Sequence, residues 1–216
     1  MLAARLRQYR HCQLTGIKVQ NALTYGFHIG DPTLSGGYEA IGTNIYVNRT
    51  TGTLQTGSVA LFIETNATDC NFNQAVLVGM AEGVKVMNGG NFFNNFHVWS
   101  AASMGVMNIG FDDYGNGNFW GSDEADSVNT GLWAHGYNTM VSLCRFFNNS
   151  IYASPSAVGI QYDKTAPYST VVACLFIGSP PSHGMAADVQ GATPVAAPSK
   201  VLLWSGNVTS GVTVSH

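Results

Sequence analysis

Residues 83–100 read GVKVMNGGNFFNNFHVWS. After Gly83, the apolar Val84 and Val86 alternate with Lys85 and Met87, and a period of two puts Val84 and Val86 on one face of a strand. The MNGGN run then supplies turn residues. NFFNNFHVW follows from Asn91 as a second, longer strand-like string. Two β segments thus follow each other with no space for a crossover helix, which excludes a βαβ unit.

The same unit recurs on both sides of this stretch. A glycine followed by an alternating strand begins at Gly26, Gly57, Gly83, Gly105, Gly131, Gly159, Gly184 and Gly211. The intervals average about 26 residues, inside the range of stacked repeats. A second strand-like string precedes most copies: CQLTGIKVQ from Cys12, TNIYVN from Thr43, NFNQAVLVG from Asn71, NFWGSDEAD from Asn118, SLCRFFNNSIY from Ser142, VACLFIG from Val172 and KVLLWSGNV from Lys200. The spacing predicts an all-β coil of about eight rungs over residues 12–216. Each rung adds one strand to each of two or three parallel sheets and covers its neighbour's open edge. Positions one and three after each glycine face inward, as in Phe27/Ile29, Val84/Val86, Leu132/Ala134 and Ile160/Tyr162. Asn88, Asn94, Asn95, Asn148 and Asn149 suit left-handed turns and stacked amides.

The 216 residues carry 9 basic and 12 acidic groups, a net charge of −3, and only 10% of the chain is charged. Three of the basic groups, Arg5, Arg7 and Arg10, fall in the first ten positions. The rest of the chain is acidic, which argues against a nucleic-acid partner, since that needs a clustered basic face. Apolar runs stop well short of a membrane span, so no membrane insertion is expected. MLAARLRQYR lacks the apolar core of a secretion signal and reads, over residues 1–11, as a short amphipathic helix capping the coil. Cys12, Cys70, Cys144 and Cys174 stand alone in apolar strings and read as buried thiols. No metal-ligand spacing, Walker sequence or GxSxG elbow occurs, so neither a metal nor a cofactor is expected. GNGNFWG lacks the strand-to-helix setting of a dinucleotide loop.

Two runs, TDCNFNQAVLVGMAEGVKVMNGGNFFNNFHVWS over residues 68–100 and GFDDYGNGNFWGSDEADSVNTGL over residues 110–132, carry a family likeness. They resemble the right-handed, single-stranded parallel β-helix proteins of the pectate-lyase-like superfamily, and within it the tailspike and tail-fibre proteins of bacteriophages. The resemblance implies a homotrimer in a virion tail, acting outside the cell with other tail proteins. Its implied partner is bacterial surface polysaccharide, bound and depolymerised by endoglycosidase-type hydrolysis, with lyase cleavage as a second choice. Tailspikes also carry particle-binding and C-terminal receptor regions, for which a chain made almost wholly of repeat leaves no room. A piece of a longer polypeptide, or a chain stacked on a partner, is therefore expected. A non-catalytic glycan-binding or structural module is the alternative, and a cellular carbohydrate-active enzyme a third reading.

Registration of the repeats brings distant residues together. Adjacent parallel strands lie about 4.8 Å apart, so residues one or two rungs apart approach the carboxylate separations of about 5–5.5 Å and about 6.5–9.5 Å used by retaining and inverting glycosidases. Counting four residues from each glycine gives one column of Met87, Ile109, His135, Asp163, Asp188 and Ser215, with Trp133 and Gln161 beside it. Aligning Asn71, Asn91 and Asn118 gives two more: Leu77, His97 and Glu124, then Gly79, Trp99 and Asp126. Glu124, Asp126, Asp163 and Asp188 are the candidate acids and bases. His97, Trp99, Trp133, His135 and Gln161 are the candidate sugar contacts, with the indoles offering flat stacking faces. Asp123 points inward or into a turn, and the paired acids Asp112 and Asp113 read as turn caps, with cation binding as the alternative.

Overall fold

The computed structural model describes residues 4–7, 9–34, 36–101, 103–148, 157–163, 168–178, 185–190, 203–210 and 212–214, and no helix occurs among them. The chain alternates between two parallel sheets. The first holds nine strands in chain order: Ala4–Leu6, Tyr25–Ile29, Val59–Ile63, Glu82–Val86, Ile109–Asp113, Thr130–Ala134, Ala157–Tyr162, Met185–Gln190 and Val212–Val214. The second holds thirteen, among them Ile41–Asn48, Asn71–Val78 and Phe92–Trp99, which run unbroken, and paired shorter strands such as Phe119–Gly121 with Glu124–Asp126. Gly37–Tyr38 and Ala67–Thr68 form a small third sheet. Successive levels differ in length. The chain travels much further between Tyr25 and its partner Val59 than between Ile109 and its partner Thr130.

Inward positions follow the alternation. Phe27, Leu61, Val84, Phe111, Leu132 and Ile160 form one buried column of the first sheet. They meet a column of rings from the second sheet, in which Phe72 stacks on Phe93 at 5.9 Å and Phe93 on Trp120 at 4.1 Å. Such offset-parallel rings add to the area they bury. Asp113 is fully buried in the same interior and accepts hydrogen bonds from Trp120 Nε1, Asn118 Nδ2, the Gly115 amide and Thr139 Oγ1. Burial nevertheless pushes its carboxyl up to about 6. All four cysteines are unpaired, three of them buried and Cys12 half-buried.

The glycine column corrects the repeat. Gly26, Gly83, Gly131 and Gly159 stand level with one another, but Ala60 takes the place expected of Gly57, Gly110 that of Gly105 and Asp188 that of Gly184. Gly211 lies outside the described residues. The column wants small residues because a Cβ on Gly83 would come within 2.5 Å of the Gly110 carbonyl oxygen, and one on Gly110 within 2.6 Å of that of Gly131. Gly57 and Gly105 serve loops instead, with φ of 71° and 103°.

The described residues of the 1–11 segment, 4–7 and 9–11, do not bear out the helix expected there. Ala4–Leu6 is a strand paired parallel to Phe27–Ile29, and Arg5 and Arg7, two apart and hence on one side, both reach the Asp31 carboxylate at 3.3 and 3.0 Å. A helix would leave the edge of the Tyr25–Ile29 strand without partners.

Two corners repeat throughout the second sheet. At the first, His11, Glu39, Asp69, Gly90, Gly117, Asn138 and Tyr168 all have positive φ. At the second, Gly16, Asn44, Gln74, Asn95, Ser122, Leu143, Ala173 and Gly206 stand level with one another, with φ between 53° and 69°. Of the asparagines read as left-handed, Asn95 is so; Asn88, Asn94 and Asn148 are not, and Asn149 lies outside the described residues. Asn95 also forms a stacked amide, its Nδ2 donating to Asn73 Oδ1 at 2.9 Å, and a second joins Asn91 and Asn118, where Asn118 Oδ1 accepts from Asn91 Nδ2 at 3.3 Å and from the Asn91 backbone amide at 2.9 Å.

The second corner aims the following residue inward, at Asp123 among others. Its Oδ1 accepts from the Phe96 amide at 2.8 Å, while Oδ2 is buried without a partner. Burial pushes this carboxyl up to about 8, against the pull of the Phe96 and Gly121 amides.

Two outcomes are expected. Leu143 is 63% exposed at φ 58°, and a left-handed non-glycine residue costs about 1–2 kcal/mol. Leu143→Gly or Leu143→Asn should therefore raise the melting temperature, and a lower one would contradict the corner. Asp123 prefers its protonated form when folded, so its contribution is present below the unfolded carboxyl value and is lost as pH rises through about 8. Asp123→Asn should melt above the native protein at pH 9 and close to it at pH 4.

Candidate functional site

The outward side of the first sheet carries a dense polar network. The strand register sets Lys85, Asp112, Trp133 and Gln161 side by side on four successive strands. One step further along the chain from the strand ends, Tyr114, His135 and Asp163 close the group: the His135 amide bonds the Asp113 carbonyl and the Asp163 amide that of Ala134. Alternation sends these side chains outward while Val84, Phe111, Leu132 and Ile160 fill the interior.

Lys85 Nζ donates to Asp112 Oδ2 at 2.6 Å and to Glu82 Oε2 at 3.3 Å. His135 bonds two carboxylates, through Nε2 to Asp112 Oδ1 at 2.9 Å and through Nδ1 to Asp163 Oδ2 at 2.8 Å. Trp133 Nε1 donates to the other oxygen of Asp163 at 3.0 Å. Rings cover the group. Tyr114 stacks on His135 at 3.9 Å, Trp133 lies 4.7 Å from the same imidazole, and Lys85 Nζ sits 4.9 Å above the Tyr114 ring.

These contacts fix the charges. Burial works against a proton on His135, but the hydrogen bonds and charges of Asp112 and Asp163 outweigh it and raise its pKa. A carboxylate oxygen at each nitrogen thus favours the protonated ring, in which both nitrogens donate. Burial would lift Asp163, yet Trp133 and His135 hold it below the usual carboxylate value. Lys85, opposed by burial, is raised by Asp112 and Glu82. Glu82 moves the other way: burial and the neighbouring Asp112 push its carboxyl up in spite of Lys85.

The expected columns are met in part. His135 with Asp163, and Trp133 with Gln161, are neighbours as the glycine spacing implied. Ile109 is replaced in its column by Tyr114, because Gly110 rather than Gly105 marks that level. The Asp163–Asp188 pairing is corrected by the backbone register. Val158 pairs with Ala187 and Ile160 with Val189, across an irregularity after Ala157, so Asp188 stands level with Gly159. The side chain of Asp188 lies outside the described residues. Asp112 is no turn cap: it sits in a strand, almost wholly buried, at the centre of the network. Glu82, Asp112 and Tyr114 were missed, and counting from Gly110 would have placed Asp112 beside Trp133.

The second expected group forms on the outward face of the second sheet. His97 pairs with Glu124, and Trp99 with Asp126, as aligned; Val76 and Val78, not Leu77 and Gly79, complete the columns. Arg145, which the alignment did not supply, follows Glu124 on the next strand and binds its Oε1 at 2.9 Å. Ser127 Oγ donates to Asp126 Oδ1 at 2.7 Å. Trp99 is 41% exposed and stacks on His97 at 5.5 Å. Asp123 points inward, away from this group.

No family model, curated protein or solved structure gives a significant match to the chain.

The imidazolium of His135 stabilises the fold where it is charged. That contribution is complete below the unfolded histidine value and fades as pH rises through the raised folded one. The melting-temperature advantage of the native protein over His135→Gln should therefore be larger at pH 6 than at pH 9.5. An advantage independent of pH would contradict the double carboxylate clamp.

Proposed function

We propose that the chain is a right-handed parallel β-helix of a bacteriophage tail that recognises bacterial surface polysaccharide on the outward face of its first sheet. The coil reading is supported by strict alternation between two parallel sheets, with the core between them. The phage setting, the homotrimer and contact with other tail proteins rest on the likeness in residues 68–132.

The observation that carries recognition is the arrangement around Trp133. Its indole is half-buried, pinned by Asp163, and lies between Asp112 and Gln161 on the neighbouring strands. A sugar ring has an apolar face of C–H groups and a rim of hydroxyls. An aromatic face next to charged acceptors and an amide matches both. Because the groups are already bonded to one another, little side-chain freedom is lost on binding.

Hydrolysis is the second reading, and one observation favours it. Glu82 is held towards its protonated form next to Asp112, which its salt bridge to Lys85 keeps close. A carboxyl held towards its protonated form can act as a general acid, with the carboxylate beside it placed as the general base. Asp163 is less suited to the acid role, since His135 and Trp133 hold its charged form.

Purified capsule and O-antigen polysaccharides, presented as an array, test recognition. Trp133→Ala should weaken binding at least tenfold on whichever glycan the native protein retains, while Trp99→Ala changes it little. No retention of any glycan, or full retention by Trp133→Ala, would sink the reading. Release of reducing ends that is lost in Glu82→Gln separates cleavage from binding alone.

A further inference from the structure

We infer that His97, Glu124 and Asp126 form a binding site for a divalent transition-metal ion of the zinc class, separate from the face proposed to bind polysaccharide. Glu124 and Asp126 are two residues apart on one strand and so project from the same face. His97 is the partner of Glu124 on the adjacent strand. One ligand atom from each of the three lies within 4.8 Å of the other two.

The imidazole itself asks for a further partner. His97 Nε2 is shut off from solvent and makes no hydrogen bond, although the ring as a whole is partly exposed. Its nearest acid, Glu124 Oε1, stands at 3.7 Å. That is too long for a hydrogen bond. It is close to the separation of two ligand atoms that each lie about 2.0–2.2 Å from one tetrahedral zinc ion. A buried, unsatisfied nitrogen costs free energy, and a cation between it and the two carboxylates removes that cost.

The surroundings hold the three ligands in place. Arg145 binds Glu124 through Oε1, the same oxygen that stands nearest His97, and Ser127 binds Asp126 through Oδ1, so each carboxylate is oriented while Oε1 keeps a second lone pair and Asp126 its second oxygen for a cation. Trp99 lies against the imidazole with an interplanar angle of 30° and fixes its plane. Partners that orient metal ligands in this way raise affinity. One imidazole with two carboxylates suits zinc better than calcium or magnesium, which favour all-oxygen shells. Three protein ligands leave a fourth position for water or an incoming oxygen ligand.

Titration of the whole chain with zinc chloride in a calorimeter tests the site. The expected result is uptake of an ion that raises the melting temperature, with affinity at least tenfold weaker in His97→Ala and in Asp126→Asn. His135→Gln, on the other sheet, should bind zinc as the native protein does. Circular dichroism of each variant verifies the fold. If His97→Ala does not fold, Asp126→Asn carries the comparison. Absence of zinc binding by the native protein overturns the site, as does unchanged affinity in the folded variants. Calcium chloride should give no heat that His97→Ala abolishes, and a calcium signal lost in that variant would overturn the zinc-class assignment.

Discussion

A single residue in the left-handed region, at the same place on every level from Gly16 to Gly206, bends the second sheet. The bend sends the next residue inward, and the set Ile17, Ile45, Ala75, Phe96, Asp123, Cys144, Cys174 and Asn207 follows from it. Beyond the bend the alternation restarts, which is why His97, Glu124 and Arg145 fall on one outward column rather than in the core. The corner is imposed by the level above and below more than by its own residue, since Leu143 and Ala173 adopt it although neither favours it. Parallel pairing is evenly spaced along the strands, so one level's corner dictates the next.

Polar groups inside this frame are few, and each is tied to it. Asp113 meets four donors and stays satisfied, whereas Asp123 has one oxygen without any. The contrast explains the larger shift of Asp123. Asn207, further along the Asp123 column, shows the neutral solution: its Oδ1 accepts from the Cys174 amide and its Nδ2 donates to the Val171 carbonyl. An amide supplies both roles that an ionised carboxylate cannot.

Sequence periodicity made the two-sheet alternation legible because inward residues are apolar on nearly every level. It also paired His97 with Glu124 and Trp99 with Asp126, since those pairs keep the spacing that separates Asn91 from Asn118. It failed where level lengths change. Gly105 and Gly110 both precede apolar residues, and only the backbone shows that Gly110 is the one pressed against its neighbours' carbonyls. That misplaced level hid Asp112 and Tyr114. The error at Gly184 created the Asp163–Asp188 pair. Glu82 escaped notice because it precedes its glycine, and the N-terminal strand because Arg5 and Arg7 fit a short amphipathic helix equally well until Asp31 is seen between them.

The unequal stretches of chain between paired strands, long from Tyr25 to Val59 and short from Ile109 to Thr130, carry an evolutionary consequence. Most of the surplus lies outside the ladders of the two main sheets, with Gly37–Tyr38 pairing in the small third sheet, and each doubling of a loop costs only about 0.6 kcal/mol in closure entropy. Insertions can accumulate there while the ladder beneath keeps its alignment. A lineage built on such a frame can diversify what its surface meets, by lengthening or trimming excursions between sheets, without renegotiating the architecture that supports them.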